Sequence, residues 1–459
     1  MKIKRHKTYQ RLASFLLLAF IYTPNSYSAV DPMSSIQAIT KQIFDDTGGR
    51  VNLSGYINGH VMNHDGAPRL TNKNINNALY QLREASLFAD IILSDSLFFS
   101  TELEMSYDFT DKNDSGRDSR FEGLFNYYYF DLDVSNALDW DTDETGSLRV
   151  RTGRILVPFL RYNENKPSFK QHLMSQPFTA WQIAPVNNAA ISYQQFGWTD
   201  TGVSFNWSYI RDDVGLFDVK LSIINGLGSE SDVLDSNSVQ LDAGMMGTPT
   251  VRPRDGLANA RSEWDSFNDV NDDKAVVIQT SFSPVSTPLN VGLSWYKGAW
   301  DKSGDKDLTM YGAHLDYTTT DWSLKAEYVK ADVDQTAGIN VVTAMGPAAI
   351  NTSTGDYSMQ AWYVEGAYTF LRYGESNENN LVGVLRFDEV ETNDKAVFTP
   401  FNRSRITVGL EWGFIRNMRL RAEVQRSKLD DFSAAPGPYI SAGGDEHIDM
   451  AMLSLIAYF

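Results

Sequence analysis

The stretch Leu97-Phe98-Phe99-Ser100-Thr101-Glu102-Leu103-Glu104-Met105-Ser106-Tyr107-Asp108-Phe109 carries the reading of the fold. Leu97, Phe99, Thr101, Leu103, Met105, Tyr107 and Phe109 share one face. Ser100, Glu102, Glu104, Ser106 and Asp108 share the other. Side chains alternate across a strand, so the segment has one apolar and one polar side. Its alternation runs far beyond the roughly 5–6 residues of an ordinary strand. It suits a tilted strand of about 9–11 residues that crosses a bilayer, with lipid on one side and water on the other.

The same pattern recurs along the chain. Sixteen segments fit it: 49–62, 79–93, 97–109, 123–134, 147–157, 198–211, 214–224, 274–283, 289–301, 307–318, 321–333, 356–370, 380–391, 403–414, 418–430 and 446–459. The connections sort by parity. Even-to-odd links are short, as at Ser94-Asp95-Ser96, Asp212-Asp213, Thr319-Thr320 and Ile415-Arg416-Asn417. Odd-to-even links are long, as at 63–78, 158–197, 225–273, 334–355 and 431–445; 135–146 and 302–306 depart modestly. A soluble sandwich has no reason to sort its loops this way, whereas an outer-membrane barrel has short turns on one side and long loops on the other. The expected fold is all-β: a transmembrane, antiparallel, up-and-down β-barrel of about sixteen strands over 49–459. The chain closes on Leu453-Ser454-Leu455-Ile456-Ala457-Tyr458-Phe459, an alternating end with a terminal aromatic, which barrels present to the barrel-assembly machinery.

Composition agrees. Of 459 residues, 12% are aromatic, with 22 Tyr and 10 Trp, although the mean hydropathy is negative. A barrel reconciles these facts, because only alternate residues meet lipid and aromatic rings collect at the two interfaces. Tyr127 to Phe130, Trp295-Tyr296, Trp300, Trp322, Trp362-Tyr363, Trp412 and Tyr458-Phe459 are candidates for such girdles. The absence of cysteine excludes disulfides, thiolate metal sites and cysteine nucleophiles.

Residues 1–28 read as a signal peptide. Lys2, Lys4, Arg5, Lys7 and Arg11 precede an apolar run from Leu12 to Tyr22, and Ser26-Tyr27-Ser28 offers a cleavage site. Removing it leaves 35 basic against 58 acidic side chains, a net charge of −23. Such a balance argues against nucleic acid as a partner. Between signal and barrel, residues 29–48 form a periplasmic segment. Ile36, Ile39, Ile43 and Phe44 fall on one helical face within Val30 to Thr47, so this segment reads as a short periplasmic helix, a plug at the barrel mouth, or a mobile tail.

Two stretches resemble a known family. They are Val51-Asn52-Leu53-Ser54-Gly55-Tyr56 and Gly153-Arg154-Ile155-Leu156-Val157-Pro158-Phe159. Together with the strand layout they are similar to the phosphate-selective porin O and P family and its porin-like relatives. Leu160 stands where that family's second motif ends in glycine. The resemblance implies a water-filled barrel that passes small hydrophilic solutes by diffusion, often as a homotrimer. It further implies a third long loop folded into the pore. That loop is 158–197 here, with Arg161, Glu164, Lys166 and Lys170 as its charged constriction residues; a surface lid or subunit contact is the other reading. Its phosphate-selective members rely on a basic ladder and a lysine cluster, and no matching lysine cluster is present.

Alternation assigns the lumen. Arg149 and Arg151 point inward from the fifth strand, and Arg386, Arg403, Arg405, Arg419 and Arg421 from the thirteenth to fifteenth. Glu102 and Glu104 lie on a different wall. Rows of arginine favour anions, and opposed charge rows orient polar solutes. The alternative is that the arginines are plain cross-strand partners of acidic side chains. Acidic residues such as Asp272 and Asp273 crowd the long connections, where divalent ions bridge them to lipopolysaccharide or water solvates them.

No GxSxG, HExxH, P-loop or dinucleotide pattern occurs, so no enzyme activity and no cofactor are expected. His60 and His64 stand at a strand–loop junction without an intervening carboxylate, and no metal site is expected from them. The alternative function is a non-conducting surface barrel, an adhesin or a scaffold for a partner.

Overall fold

The computed structural model describes residues 40–65, 79–108, 120–142, 146–165, 167–179, 198–227, 239–243, 249–253, 271–301, 303–334, 338–342, 349–353, 355–374, 379–391, 394, 403–429 and 447–459. The signal segment expected at 1–28, the start of the helix expected from Val30, and Lys166 lie outside the described residues. Residues 40–46 are helical and end at a turn containing Gly48 and Gly49.

Among the described residues twenty strands follow: β1 Val51–Asp65, β2 Leu79–Ser94, β3 Leu97–Asp108, β4 Arg120–Asp133, β5 Ser147–Leu156, β6 Thr199–Arg211, β7 Gly215–Ile224, β8 Val239–Ala243, β9 Pro249–Pro253 and β10 Ala275–Pro284. The second half holds β11 Leu289–Ala299, β12 Asp307–Thr318, β13 Trp322–Val333, β14 Gly338–Val342, β15 Ala349–Ser353, β16 Tyr357–Tyr373, β17 Asn379–Glu391, β18 Arg403–Ile415, β19 Met418–Leu429 and β20 His447–Tyr458. Sixteen of them close into one antiparallel barrel in chain order; β8, β9, β14 and β15 are left out of it. The barrel strands match the sixteen alternating segments, with ends differing by a few residues.

Alternation is visible in burial. Along β18, Arg403, Arg405, Thr407, Gly409 and Glu411 are buried while Ile406, Val408 and Leu410 are exposed. That is the inverse of a soluble strand, and it means polar side chains inside and apolar ones outside. In lipid, every backbone group must be paired, and a closed ladder achieves this without an edge. Aromatic pairs cluster near the tight turns, for example Trp322–Tyr368 at 4.4 Å and Phe217–Phe282 at 4.5 Å between ring centroids. Three of the girdle candidates behave otherwise. Tyr296 and Trp300 are buried in an apolar cluster inside the barrel, and Tyr363 is buried edge-on against Tyr162, ring centroids 6.5 Å apart.

Two long connections differ from the expectation of plain loops. β8–β9, from 225–273, and β14–β15, from 334–355, form a second four-stranded sheet in which Ile350 pairs with Leu241. These strands have five residues each. Segments that short carry too few alternations to stand out from loop sequence.

The barrel seam joins β1 to β20, from Tyr56 opposite Tyr458 to Asp65 opposite Asp449. Gly55 and Phe459 exchange both backbone hydrogen bonds, at 3.1 and 2.9 Å. The Phe459 ring covers Gly55 so closely that a Cβ there would stand 2.7 Å from Cζ and 2.5 Å from the Ser86 carbonyl oxygen. The backbone oxygen cannot swing aside as a side chain can. Gly55→Val is therefore expected to cost about 1–3 kcal/mol by overpacking. The check is the folded, heat-modifiable fraction on gels, which should fall at lower denaturant than for the parent.

Candidate functional site

The third long connection turns into the lumen. After β5 the chain runs through Val157, Phe159 and Leu160, a short helix Arg161–Glu164, and a 3-10 turn Ser168–Lys170, to Thr179. Most of this path is buried. Its first part sits on an apolar inner wall. Val157, Phe159, Leu160 and Phe178 join Tyr296, Met310, Val329, Ala331, Met359 and Ala361 in one cluster. A polar lumen would not hold these residues; they face inward because the loop covers them.

Two glycines make room for loop leucines. A Cβ on Gly312 would lie 2.6 Å from the Leu160 side chain, and one on Gly409 would lie 2.2 Å from that of Leu173. Leu160 itself has φ 62° and ψ 162°. That region suits glycine, which is the residue the similar family carries at this place, and it costs a leucine about 1–3 kcal/mol. Burial of the side chain offsets the strain. So do two hydrogen bonds, from its N–H to Ser294 Oγ at 3.0 Å and from Gln279 Nε2 to its carbonyl at 3.3 Å.

The second part of the loop is tied by charge. Glu327 accepts from Tyr162 N–H at 2.6 Å and from Thr179 Oγ1 at 2.9 Å. Glu423 accepts from Met174 N–H at 2.7 Å and Ser175 N–H at 3.2 Å. Arg386 donates to the Ser175 carbonyl at 2.9 Å, Arg405 to the Gln176 carbonyl at 2.5 Å and Arg419 to the Phe169 carbonyl at 3.0 Å. Arg421 donates to the Gln171 carbonyl. Arg403 and Arg405 stand 4.5 and 4.3 Å from the Phe178 ring centroid.

The same arginines are matched by carboxylates on neighbouring strands. The register puts Glu365 opposite Arg386, Asp388 opposite Arg405, and Glu411 opposite Arg421. Arg386 bonds Asp388 at 3.0 Å and Glu365 at 3.4 Å; Arg405 bonds Asp388 at 3.1 Å. Glu411 holds Arg421 at 2.7 Å, Arg419 at 3.3 Å and His172 Nδ1 at 3.2 Å. These side chains are mostly out of solvent, with Arg386 and Arg421 1% exposed.

Other basic groups stay open to the lumen. Arg149 and Arg151 are 39% and 37% exposed and share Asp131, at 3.1 and 2.8 Å. Arg161 is 39% exposed, 3.9 Å from Glu164. Glu164 also pairs with Lys220. Lys170 is exposed and within electrostatic reach of Arg161, Glu164 and Glu102. Glu102 and Glu104 are on the β3 wall, each 2% exposed. The expected lumen residues thus divide into a sequestered group on β17–β19 and an accessible group on β5 and the loop.

Comparison with known proteins adds family to fold. Residues 297–442, from late β11 past β19, match the family described as phosphate-selective porin O and P. This part of the chain is a porin domain. It lies C-terminal to both stretches that carry the resemblance in sequence. No curated protein matches the chain. Solved structures that are similar include OmpF of Salmonella typhi in complex with daunomycin, with 11% identity, 90% of this chain and 99% of that chain covered, and TM-score 0.49. An anion-selective porin from Comamonas acidovorans is 14% identical, with 89% and 99% covered and TM-score 0.47. OmpT of Vibrio cholerae in its trimer form is 10% identical, with 89% and 99% covered and TM-score 0.47. The chain is a closed sixteen-stranded antiparallel barrel that carries a porin-family segment.

Three features of its lumen are absent from the sequence reading. Asp388, Glu411 and Glu423 share the inward parity of the arginines, which is a readable signal. The apolar inner wall from Tyr296 to Ala361 has none, since its residues look lipid-facing. Glu84 joins Glu102 and Glu104, and its place depends on a register shift near Leu82 and Ala85 in β2.

Proposed function

We propose that this porin passes small hydrophilic solutes by diffusion and favours anions. The observation that carries the reading is the accessible charge. Arg149, Arg151, Arg161 and Lys170 reach solvent, whereas Asp131, Glu102 and Glu104 beside them are buried. A mobile ion meets the exposed cations first, and exposed arginine in a pore favours anions. The constriction in this proposal lies between the loop residues Arg161, Glu164 and Lys170 and the walls of β3, β5 and β7. Lys166 belongs to the same proposal from sequence. Cleavage after Ser28, contact of the outer face with membrane lipid and of the loops with lipopolysaccharide, delivery to assembly machinery through Phe459, and a homotrimer complete it.

The test is reversal potential across planar bilayers in a salt gradient. Potassium chloride should give the sign of chloride preference, and Arg149→Gln with Arg151→Gln should shift it toward cations. A cation-preferring sign in the parent refutes the anion reading. A folded barrel with no conductance refutes the channel and leaves a surface scaffold, a reading that the loop's buried course across the lumen supports.

A further inference from the structure

Three carboxylates converge where β2 and β3 meet. Glu84, Glu102 and Glu104 are 1%, 2% and 2% exposed. One carboxylate oxygen from each lies within 4.8 Å of the others. The strand geometry explains the meeting. Glu84 and Ser86 are two apart on β2 and share the inward face, as do Glu102 and Glu104 on β3. The register sets Ser86 directly opposite Glu104. Side chains so paired have Cβ atoms about 4.5–5.5 Å apart.

Three like charges at this spacing and depth repel strongly. Part of their hydrogen bonding is met within the wall. The Tyr56 hydroxyl donates to Glu84, and Asn126 Nδ2 donates to Glu102 Oε2 at 2.8 Å. Two oxygens are left over. Glu102 Oε1 and Ser86 Oγ are both buried and have no hydrogen-bond partner among the described residues. Ser86 is 4% exposed. Buried polar atoms in a folded wall are normally paired, and an unpaired oxygen within the three-carboxylate cluster, with an unpaired hydroxyl on the residue opposite Glu104, points to a cation.

The donor set says which ligand. All groups are hard oxygens, with neither sulfur nor an aromatic nitrogen among them. Carboxylates and a hydroxyl suit calcium, which takes many oxygens in flexible geometry, better than a softer transition ion. We propose that Glu84, Glu102, Glu104 and the Ser86 hydroxyl bind one calcium ion on the inner wall of the barrel. The ion joins β2 to β3 and relieves the repulsion of the three carboxylates. Lys170, within electrostatic reach of Glu102, opposes it.

The full-length mature barrel in detergent, stripped of metal, is titrated with terbium as a luminescent stand-in for calcium. Tyr56 bonds Glu84 and Tyr127 stands opposite Glu102, so both are placed to sensitise emission. One saturable site per chain, displaced by calcium, is expected. Glu102→Gln should weaken it by about tenfold or more, because one charged ligand is lost. Replacing all three glutamates by glutamine should remove it. Lys170→Gln should tighten it, and Asp272→Asn on the loop should leave it unchanged. Absence of sensitised emission in the parent overturns the proposal, and needs no variant to fold. Emission that survives the triple replacement overturns it too. Neither outcome depends on conductance, so the channel reading stands or falls separately.

Discussion

Replacing Asp388 by Asn is expected to lower the free energy of barrel unfolding by about 3–5 kcal/mol. Asp388 is fully buried and accepts from both Arg386 and Arg405, at 3.0 and 3.1 Å. It also accepts the Phe178 N–H of the inward loop at 3.2 Å. The neutral amide keeps the shape and removes the charge. Arg386 then keeps Glu365 at 3.4 Å, while Arg405 is left on the neutral Gln425 side chain and Gln176 carbonyl, and both guanidiniums are nearly out of solvent, 1% and 9% exposed. Leaving a buried charge without its counterion is what makes such a change costly; the net worth of the pair itself is much smaller. Hence a discriminating result follows. Removing the cations as well, with Arg386→Gln and Arg405→Gln added to Asp388→Asn, should recover part of the lost stability. Urea unfolding followed by tryptophan emission measures both. If the triple variant is less stable than the single one, the arginines hold the loop chiefly through its carbonyls and the charge argument fails.

The sequence carried the barrel because the lipid boundary writes one rule on every strand. Val408 and Leu410 point out and Arg405 and Glu411 point in, whatever their partners are. Parity of loop length came from the same source, since turns and loops sit on opposite sides of one membrane. The lumen obeys no such single rule. Whether Arg405 is an open charge or a paired one depends on Asp388 lying directly opposite, and that is a matter of register between β17 and β18. Alternation fixes the face of a side chain but not its cross-strand neighbour. The β10–β16 inner wall was illegible for a related reason. Met310, Val329 and Met359 are apolar and face inward, so they match the lipid-facing pattern in character while breaking it in direction. Only the loop that covers them makes sense of them. The charged residues of that loop drew notice in sequence, yet its hold on the wall comes as much from Phe159, Leu160 and Phe178.

Excising the inward loop, by joining Val157 to Trp198 through a short polar turn, is expected to raise single-channel conductance several-fold. The ends allow it, because Leu156 and Thr199 are paired across β5 and β6 and need only a hairpin connection. The barrel is expected to survive. Its backbone ladder closes without the loop, and the arginine–carboxylate pairs lie within the wall itself, as between Arg421 and Glu411 at 2.7 Å. What is lost is the cover over an apolar inner wall, including Met310, Val329 and Met359, which then faces water and lowers folding yield. The arginines lose the carbonyls of Phe169, Gln171, Ser175 and Gln176 and turn outward into a wider lumen. Arg161 and Lys170 leave with the loop, and Glu327 and Glu423 lose its N–H donors, so anion preference should fall as conductance rises. The two changes have separate causes, one steric and one electrostatic, and can be read in one bilayer recording. A larger conductance with unchanged selectivity would mean that Arg386, Arg405 and Arg421, freed of the loop, make up for its lost cations instead of remaining neutralised by their cross-strand carboxylates. An unchanged conductance would mean that the narrowest point of the barrel lies elsewhere than at this loop.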